Sequence, residues 1–156
     1  MKGEQRMKQS IELVEINEKN WYECCQLEVM ESQKEFMESN AVSILQSRFE
    51  PTLKAYAIHF ENRIVGFLMY NSVMEELDAY WIYRIMIDQH FQGQGIGRLA
   101  TELMLEQMKE LSSVRKVVVG YHPSNERAHH LYESLGFIDE GERFGREMAV
   151  VKYIAR

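Results

Sequence analysis

At 156 residues, with 46% hydrophobic and 27% charged side chains, the chain is the size and make-up of one soluble globular domain whose core needs neither disulfides nor metals. A net charge of −6 argues against a nucleic-acid surface, which needs clustered Lys and Arg, and suits a cationic small-molecule partner. No apolar run approaches the roughly 20 residues that span a bilayer, and the opening MKGEQRMKQS lacks the apolar segment of a signal peptide, so a cytoplasmic location is expected.

After that polar leader, Ile11–Ile16 reads as a short first strand and Asn17–Asn20 as a turn with capping residues. Trp21, Cys24, Cys25, Leu27, Val29, Phe36 and Met37 recur at broadly helical spacing, predicting a helix to about residue 38, with a second over Ala41–Phe49 before Pro51. Cys24 and Cys25 are adjacent, so a disulfide between them would be strained, and they read as reduced thiols packed in the core. Residues 55–60 and 64–70 are rich in β-formers and flank Glu61-Asn62-Arg63, the signature of a hairpin, and Gly66 marks a bulge or a close backbone approach. Residues 79–87 (AYWIYRIMI) are apolar almost throughout and predict a central strand buried on both faces.

Ile96, Leu99, Ala100, Leu103, Met104, Met108 and Leu111 draw a helical stripe ending near 111–113, and Val114–Tyr121 forms the next strand. Asn125 caps a helix with Ala128, Leu131, Tyr132 and Leu135 on one face, stopped by Gly136. Two strands near 137–142 and 147–154 complete the chain. The order is α/β with a mixed sheet, because hairpin-length links join the early strands and helices join the later ones.

Between the central strand and the next helix lies QHFQGQGIG, residues 89–97. A glycine-rich turn at a helix N-terminus gathers unpaired N–H groups at the positive end of the helix and favours a phosphate. The dinucleotide fingerprint G-x-G-x-x-G fails here, because Arg98 occupies the third glycine position. The P-loop also fails, since no Lys-Ser or Lys-Thr pair follows the glycines.

The remaining pattern, Q-x-x-G-x-G over Gln92–Gly97, resembles the central motif of the GNAT superfamily of acetyl-coenzyme A-dependent N-acetyltransferases. A second element in the correct order, Asn125 to Phe137, matches that family's N-x-x-A-x-x-[LF]-Y-x-x-x-G-F. The resemblance implies one α/β (α+β) domain over 10–156 behind a flexible leader at 1–9, with a mixed sheet of about six to seven strands flanked by helices. It implies that acetyl-coenzyme A is the cosubstrate, with its pyrophosphate on the backbone of Gly93, Gln94, Gly95, Ile96, Gly97 and Arg98 beside Gln92. The pantetheine arm would pair with the backbone of Ile85, Met86 and Ile87, and an N–H near Ile87 would polarise the thioester. Asn125 takes the position of a cofactor contact, and Tyr132 that of the acid that protonates the leaving thiolate. Transfer would be direct, since neither cysteine lies in a nucleophile motif.

The base that deprotonates the acceptor ammonium stays open among Glu31, Glu76 and a water chain. Some polyamine-acetylating relatives carry an acidic residue where this chain has Tyr83. Segments 80–88 and 119–126, with Gln33-Lys34-Glu35-Phe36, look like a bacterial subgroup described as diamine or spermine/spermidine acetyltransferases. For a polyamine, Glu28, Glu31, Glu35, Glu75, Glu76 and Asp78 are candidates for an acidic mouth, with Trp81 or Tyr83 for cation–π contact. Two other readings stay open: acetylation of a protein or peptide amine, and a non-catalytic module that binds acyl-coenzyme A. No metal site is expected, since no histidine pair has ligand spacing, and a homodimer is compatible with the pattern.

Overall fold

The computed structural model describes residues 2–111 and 113–154. Met1, Ser112, Ala155 and Arg156 lie outside the described residues, so the expected helix end at 111–113 and the expected C-terminal bound of the domain fall partly there. The segment read as a leader is helical over Lys2–Gln9 (α1), and Lys8 Nζ reaches Glu106 Oε1 at 3.0 Å. The strands are β1 (Ile11–Glu15), β2 (Leu53–Phe60), β3 (Arg63–Asn71), β4 (Tyr80–Ile87), β5 (Lys116–Tyr121), β6 (Ile138–Phe144) and β7 (Glu147–Tyr153). The further helices are α2 (Trp21–Cys25), α3 (Asn40–Phe49), α4 (Ile96–Met108) and α5 (Glu126–Ser134). The strands form one seven-stranded sheet in the order β1-β2-β3-β4-β5-β7-β6, in which only β4 and β5 run parallel. Among the described residues no helix is long and apolar enough to cross a membrane.

Strand periodicity divides the core. On β3, Val65, Leu68 and Tyr70 face the helices α4 and α5, while Ile64, Phe67 and Met69 face α2 and α3. The predicted hairpin turn is present, with Glu61 and Asn62 both at positive φ (50° and 65°), as a two-residue turn between twisted strands requires.

Two expectations need correction. The strand buried on both faces is β3, buried at every position from Ile64 to Asn71, whereas β4 is partly open at Trp81, Tyr83, Arg84 and Ile85. β5 pairs with β4 only at Tyr80–Val117, Trp81–Val118 and Ile82–Val119, so the rest of β4 loses that neighbour. The helix expected from Trp21 to about residue 38 is also broken. It ends at Cys25, and a 3-10 turn over Glu31–Phe36 follows an extended stretch. Tertiary bonds hold that stretch straight: the Glu28 N–H donates to Asp88 Oδ1 at 2.9 Å, and the Glu28 carbonyl accepts from Gln89 N at 2.7 Å.

Asp88 is nearly buried and also accepts from His90 N (3.1 Å) and His90 Nδ1 (2.9 Å). Desolvation raises its pKa, but the Glu28 and His90 N–H groups and the imidazole outweigh it, and the net shift is downward. A depressed carboxylate contributes stability that is complete above its unfolded value of about 3.9 and is lost as pH falls through the folded value. Asp88→Asn is expected to cost about 1.5–3 kcal/mol at pH 7, with the gap to wild type closing in urea titrations run at progressively more acidic pH.

Gly66 makes the close approach its place in the strand suggests. A Cβ there would lie 2.5 Å from the Met86 carbonyl oxygen of β4, a backbone atom that cannot swing aside. Gly66→Ala is expected to destabilise by about 1–3 kcal/mol in the same titrations, and a neutral result would refute the tight β3–β4 contact.

Candidate functional site

The sequence Gln89–Gly97 leaves β4 through a short 3-10 turn and enters α4 at Gly95. Gly93 and Gly95 hold φ values of 78° and 84°, a region that disfavours side chains, and no heavy atom lies within 4 Å of where a Cβ would stand. The N-terminus of α4 has no side-chain cap, and its first helical bond is Leu99 N to Gly95 O, so the N–H groups of the first turn are left for another acceptor. This cradle is bare, and its free N–H groups at the positive end of a helix favour an anion such as a phosphate.

The space between the diverging β4 and β5 continues from the cradle as one cleft of about 1020 Å³. Ile85, Met86 and Ile87 line it, paired on their other edge with Leu68, Phe67 and Gly66 of β3. Gln92, Gly93, Gly95, Ile96, Gly97, Asn125, Trp81, Tyr83 and Tyr132 also line it. The side chain of Gln94 does not, and Arg98 turns away to an ion pair with Glu102 at 2.8 Å.

On the α5 side, Asn125 caps the helix by accepting from Ala128 N at 3.2 Å, which fixes where Tyr132 emerges two turns later. Tyr132 stacks on Tyr121 (centroids 5.8 Å) and meets Phe137 edge-on (5.3 Å). Its residue is 4% exposed, and its hydroxyl has no hydrogen-bond partner among the described residues. Burial drives this phenol well above its ordinary pKa, with a smaller push from Tyr121. Tyr121 is itself fixed, its hydroxyl 3.0 Å from His129 Nδ1 and His129 Nε2 3.0 Å from Glu133. The carboxylate can only accept, so Nε2 carries a proton, and Nδ1 shares a hydrogen bond with the Tyr121 hydroxyl.

On the opposite sheet face, Tyr83 donates to Glu75 Oε1 at 2.6 Å, and desolvation with that bond pushes its pKa up to about 12. Arg84 folds back, Nη1 donating to the Tyr83 carbonyl at 2.7 Å. Trp81 is held by Nε1 donating to the Glu76 carbonyl and by an edge contact with Phe144.

The acidic residues redistribute. Of those expected at the mouth, Glu35 lines the cleft, while Glu28, Glu31, Glu75, Glu76 and Asp78 do not, and Glu31 instead pairs with Lys34 at 3.0 Å. Glu38 and Glu147 line it and were not singled out from sequence. Both lie outside helical periodicity, and Glu147 arrives beside Gly120 only through the pairing of β7 with β5. Among the described residues no cluster of three or more His, Cys, Asp or Glu side chains is placed to hold a metal.

Comparison with known proteins agrees with this geometry. The chain is 27% identical over 150 residues to the spermine/spermidine N(1)-acetyltransferase of Bacillus subtilis (strain 168), covering 92% of this chain and 98% of the relative. Its fold is similar to that of spermidine N-acetyltransferase from Vibrio cholerae in complex with CoA and spermine (TM-score 0.72, 17% identity, 93% and 96% of the two chains). It is similar to the same extent to RimL, a ribosomal L7/L12 alpha-N-protein acetyltransferase (TM-score 0.72, 19% identity, 93% and 91%). The model of the acetyltransferase (GNAT) family matches residues 12–137, the span holding both the glycine cradle and Tyr132, and the chain belongs to that family.

Proposed function

We propose that this GNAT acetyltransferase moves an acetyl group from acetyl-coenzyme A directly to a primary amine of a small cationic acceptor, a polyamine such as spermidine or spermine. The observation that carries this reading is the single cleft joining a bare helix N-terminus, a buried unpartnered phenol at Tyr132, and a rim bearing Glu35, Glu38 and Glu147. The cradle of Gly93 to Arg98 takes the pyrophosphate, and the free edge of Ile85–Ile87 takes the pantetheine amides.

Tyr132 gives its proton to the departing sulfur. A phenol held protonated by burial is a poor base but a ready donor to a thiolate formed beside it. The acceptor is small because the 3-10 segment Glu31–Phe36 crosses the opening: Gln33 pairs with Gln92, and Phe36 lies against His122 at 6.1 Å. A multiply charged amine matches the acidic rim and the net charge of −6, and the Bacillus relative acts on spermine and spermidine.

Thiol release from acetyl-coenzyme A across polyamines, monoamines and peptides with free N-termini tests the acceptor class. Spermidine or spermine is expected to give the highest kcat/KM. Turnover of peptides alone would establish protein-amine acetylation instead, and cofactor binding without any turnover would leave a non-catalytic module.

Tyr132→Phe keeps the ring contacts with Tyr121 and Phe137 and removes only the hydroxyl. It is expected to lower kcat on the order of 10²-fold with coenzyme A affinity unchanged. Full activity at every pH would remove Tyr132 from the acid role.

A further inference from the structure

An amine acceptor reaches the cleft as an ammonium and must lose a proton before it attacks. Neither acid expected in that role, Glu31 or Glu76, lines the cleft. Tyr83 does, and its setting is unusual. On β3, Met69 pairs with Arg84 and Tyr70 with Ile82, so Tyr83 is the extra residue of a β-bulge, a feature that re-aims a side chain. It packs with the core cluster of Phe67 and Met86, whereas Tyr132 belongs to the cluster on the other face of the sheet. The two phenols therefore approach the opening between β4 and β5 from opposite sides.

We propose that Tyr83 and Glu75 together form the base, Tyr83 touching the amine and Glu75 receiving the proton through it. The proposal rests on the amine-acetyltransferase reading above. A carboxylate only accepts, so the single phenolic proton of Tyr83 is committed to Glu75, at a distance typical of a charge-assisted bond (2.6 Å). One lone pair of the phenolic oxygen faces the Asn71 amide, and the other is left to accept an N–H from the ammonium.

In the step, an N–H bond of the ammonium breaks as an O–H bond forms at Tyr83, while the original Tyr83 proton moves to Glu75 Oε1. The phenol ends as it began, the carboxylate becomes a carboxylic acid, and nitrogen keeps the electron pair with which it attacks. Tyr83 never becomes a free phenolate, which matches a phenol whose pKa is raised to about 12. Glu75 is half-exposed and returns its proton to water. The other groups facing the pair are Asn71 of β3, Glu50 after α3, and Arg84, which holds the Tyr83 carbonyl.

The test compares Glu75→Gln, which keeps an acceptor for Tyr83 but cannot take a proton, with Tyr83→Phe, which keeps the ring. For both, kcat/KM with spermidine is measured from pH 6 upward, and coenzyme A affinity by titration calorimetry. At pH 7 each variant is expected to lose on the order of 10²-fold in kcat/KM, and the deficit should shrink as the pH passes the pKa of the amine and free amine dominates. Coenzyme A affinity should stay within about twofold of wild type. A deficit of equal size at every pH would reduce the pair to positioning, and wild-type rates in both variants would exclude it; either result overturns the relay while leaving the acetyltransferase reading intact. Loss of coenzyme A binding in both variants would show a structural role and likewise overturn it. A wild-type chain that turns over no amine at all would remove the parent reading and the relay together.

Discussion

The parting of β4 from β5 after three residue pairs is the constraint on which the rest of the molecule depends. Parallel strands in a buried sheet normally keep their ladder, because an unpaired backbone group away from water costs as much as a lost hydrogen bond. Here β4 is bent at the Tyr83 bulge and held on its far side by β3, where Gly66 lets the Met86 carbonyl come close. Its released edge, Ile85 to Ile87, faces a cleft instead of a strand. The opening therefore follows from the bulge in β4 and the packing of β4 on β3, and β5, fastened to β7 along its whole length, has no reason to follow.

That opening also sorts the chemistry. Acyl transfer to an amine needs one group to remove a proton and another to supply one, and two such groups side by side would exchange with each other. The sheet separates them. Tyr132 is buried on the α4 and α5 face with no hydrogen-bond partner among the described residues, so burial keeps it protonated. Tyr83 sits on the other face with its proton already directed at a carboxylate. In the proposed mechanism the same residue type is thus set for opposite roles by what surrounds it.

Much of the fold was legible because it is local. The hairpin, the apolar stripe of α4, the Asn125 cap and the glycine turn are written in spacing that one segment contains. What was not legible depends on distant partners. Leu27 and Val29 keep helical spacing with Trp21 and Cys24, yet the chain is straightened there because Asp88, 60 residues on, binds the Glu28 N–H. The apolar run of β4 reads as doubly buried, and nothing within it reveals that β5 leaves. Glu38 and Glu147 reach the cleft by a loop and by a strand pairing that place no period in the sequence. Glu31 and Glu76, candidates for the base from sequence, do not line the cleft: Glu31 pairs with Lys34, and Glu76 lies in the short 3-10 turn before β4.

The side chain of the glutamine that opens the glycine motif is taken up within the protein. The Gln92 amide has two donors and one acceptor oxygen. Nε2 donates to the Ile87 carbonyl at 2.8 Å and to Gln33 Oε1 at 2.9 Å, while Oε1 accepts from Gln33 Nε2 and from Arg127. Its hydrogen-bonding capacity is spent on protein, so its side chain is a brace. What it braces is specific: the end of β4 at Ile87, the 3-10 segment at Gln33, and α5, which carries Arg127 and Tyr132. One side chain therefore ties together the end of β4, the 3-10 segment and α5, and the backbone of the glycines beside it stays uncovered.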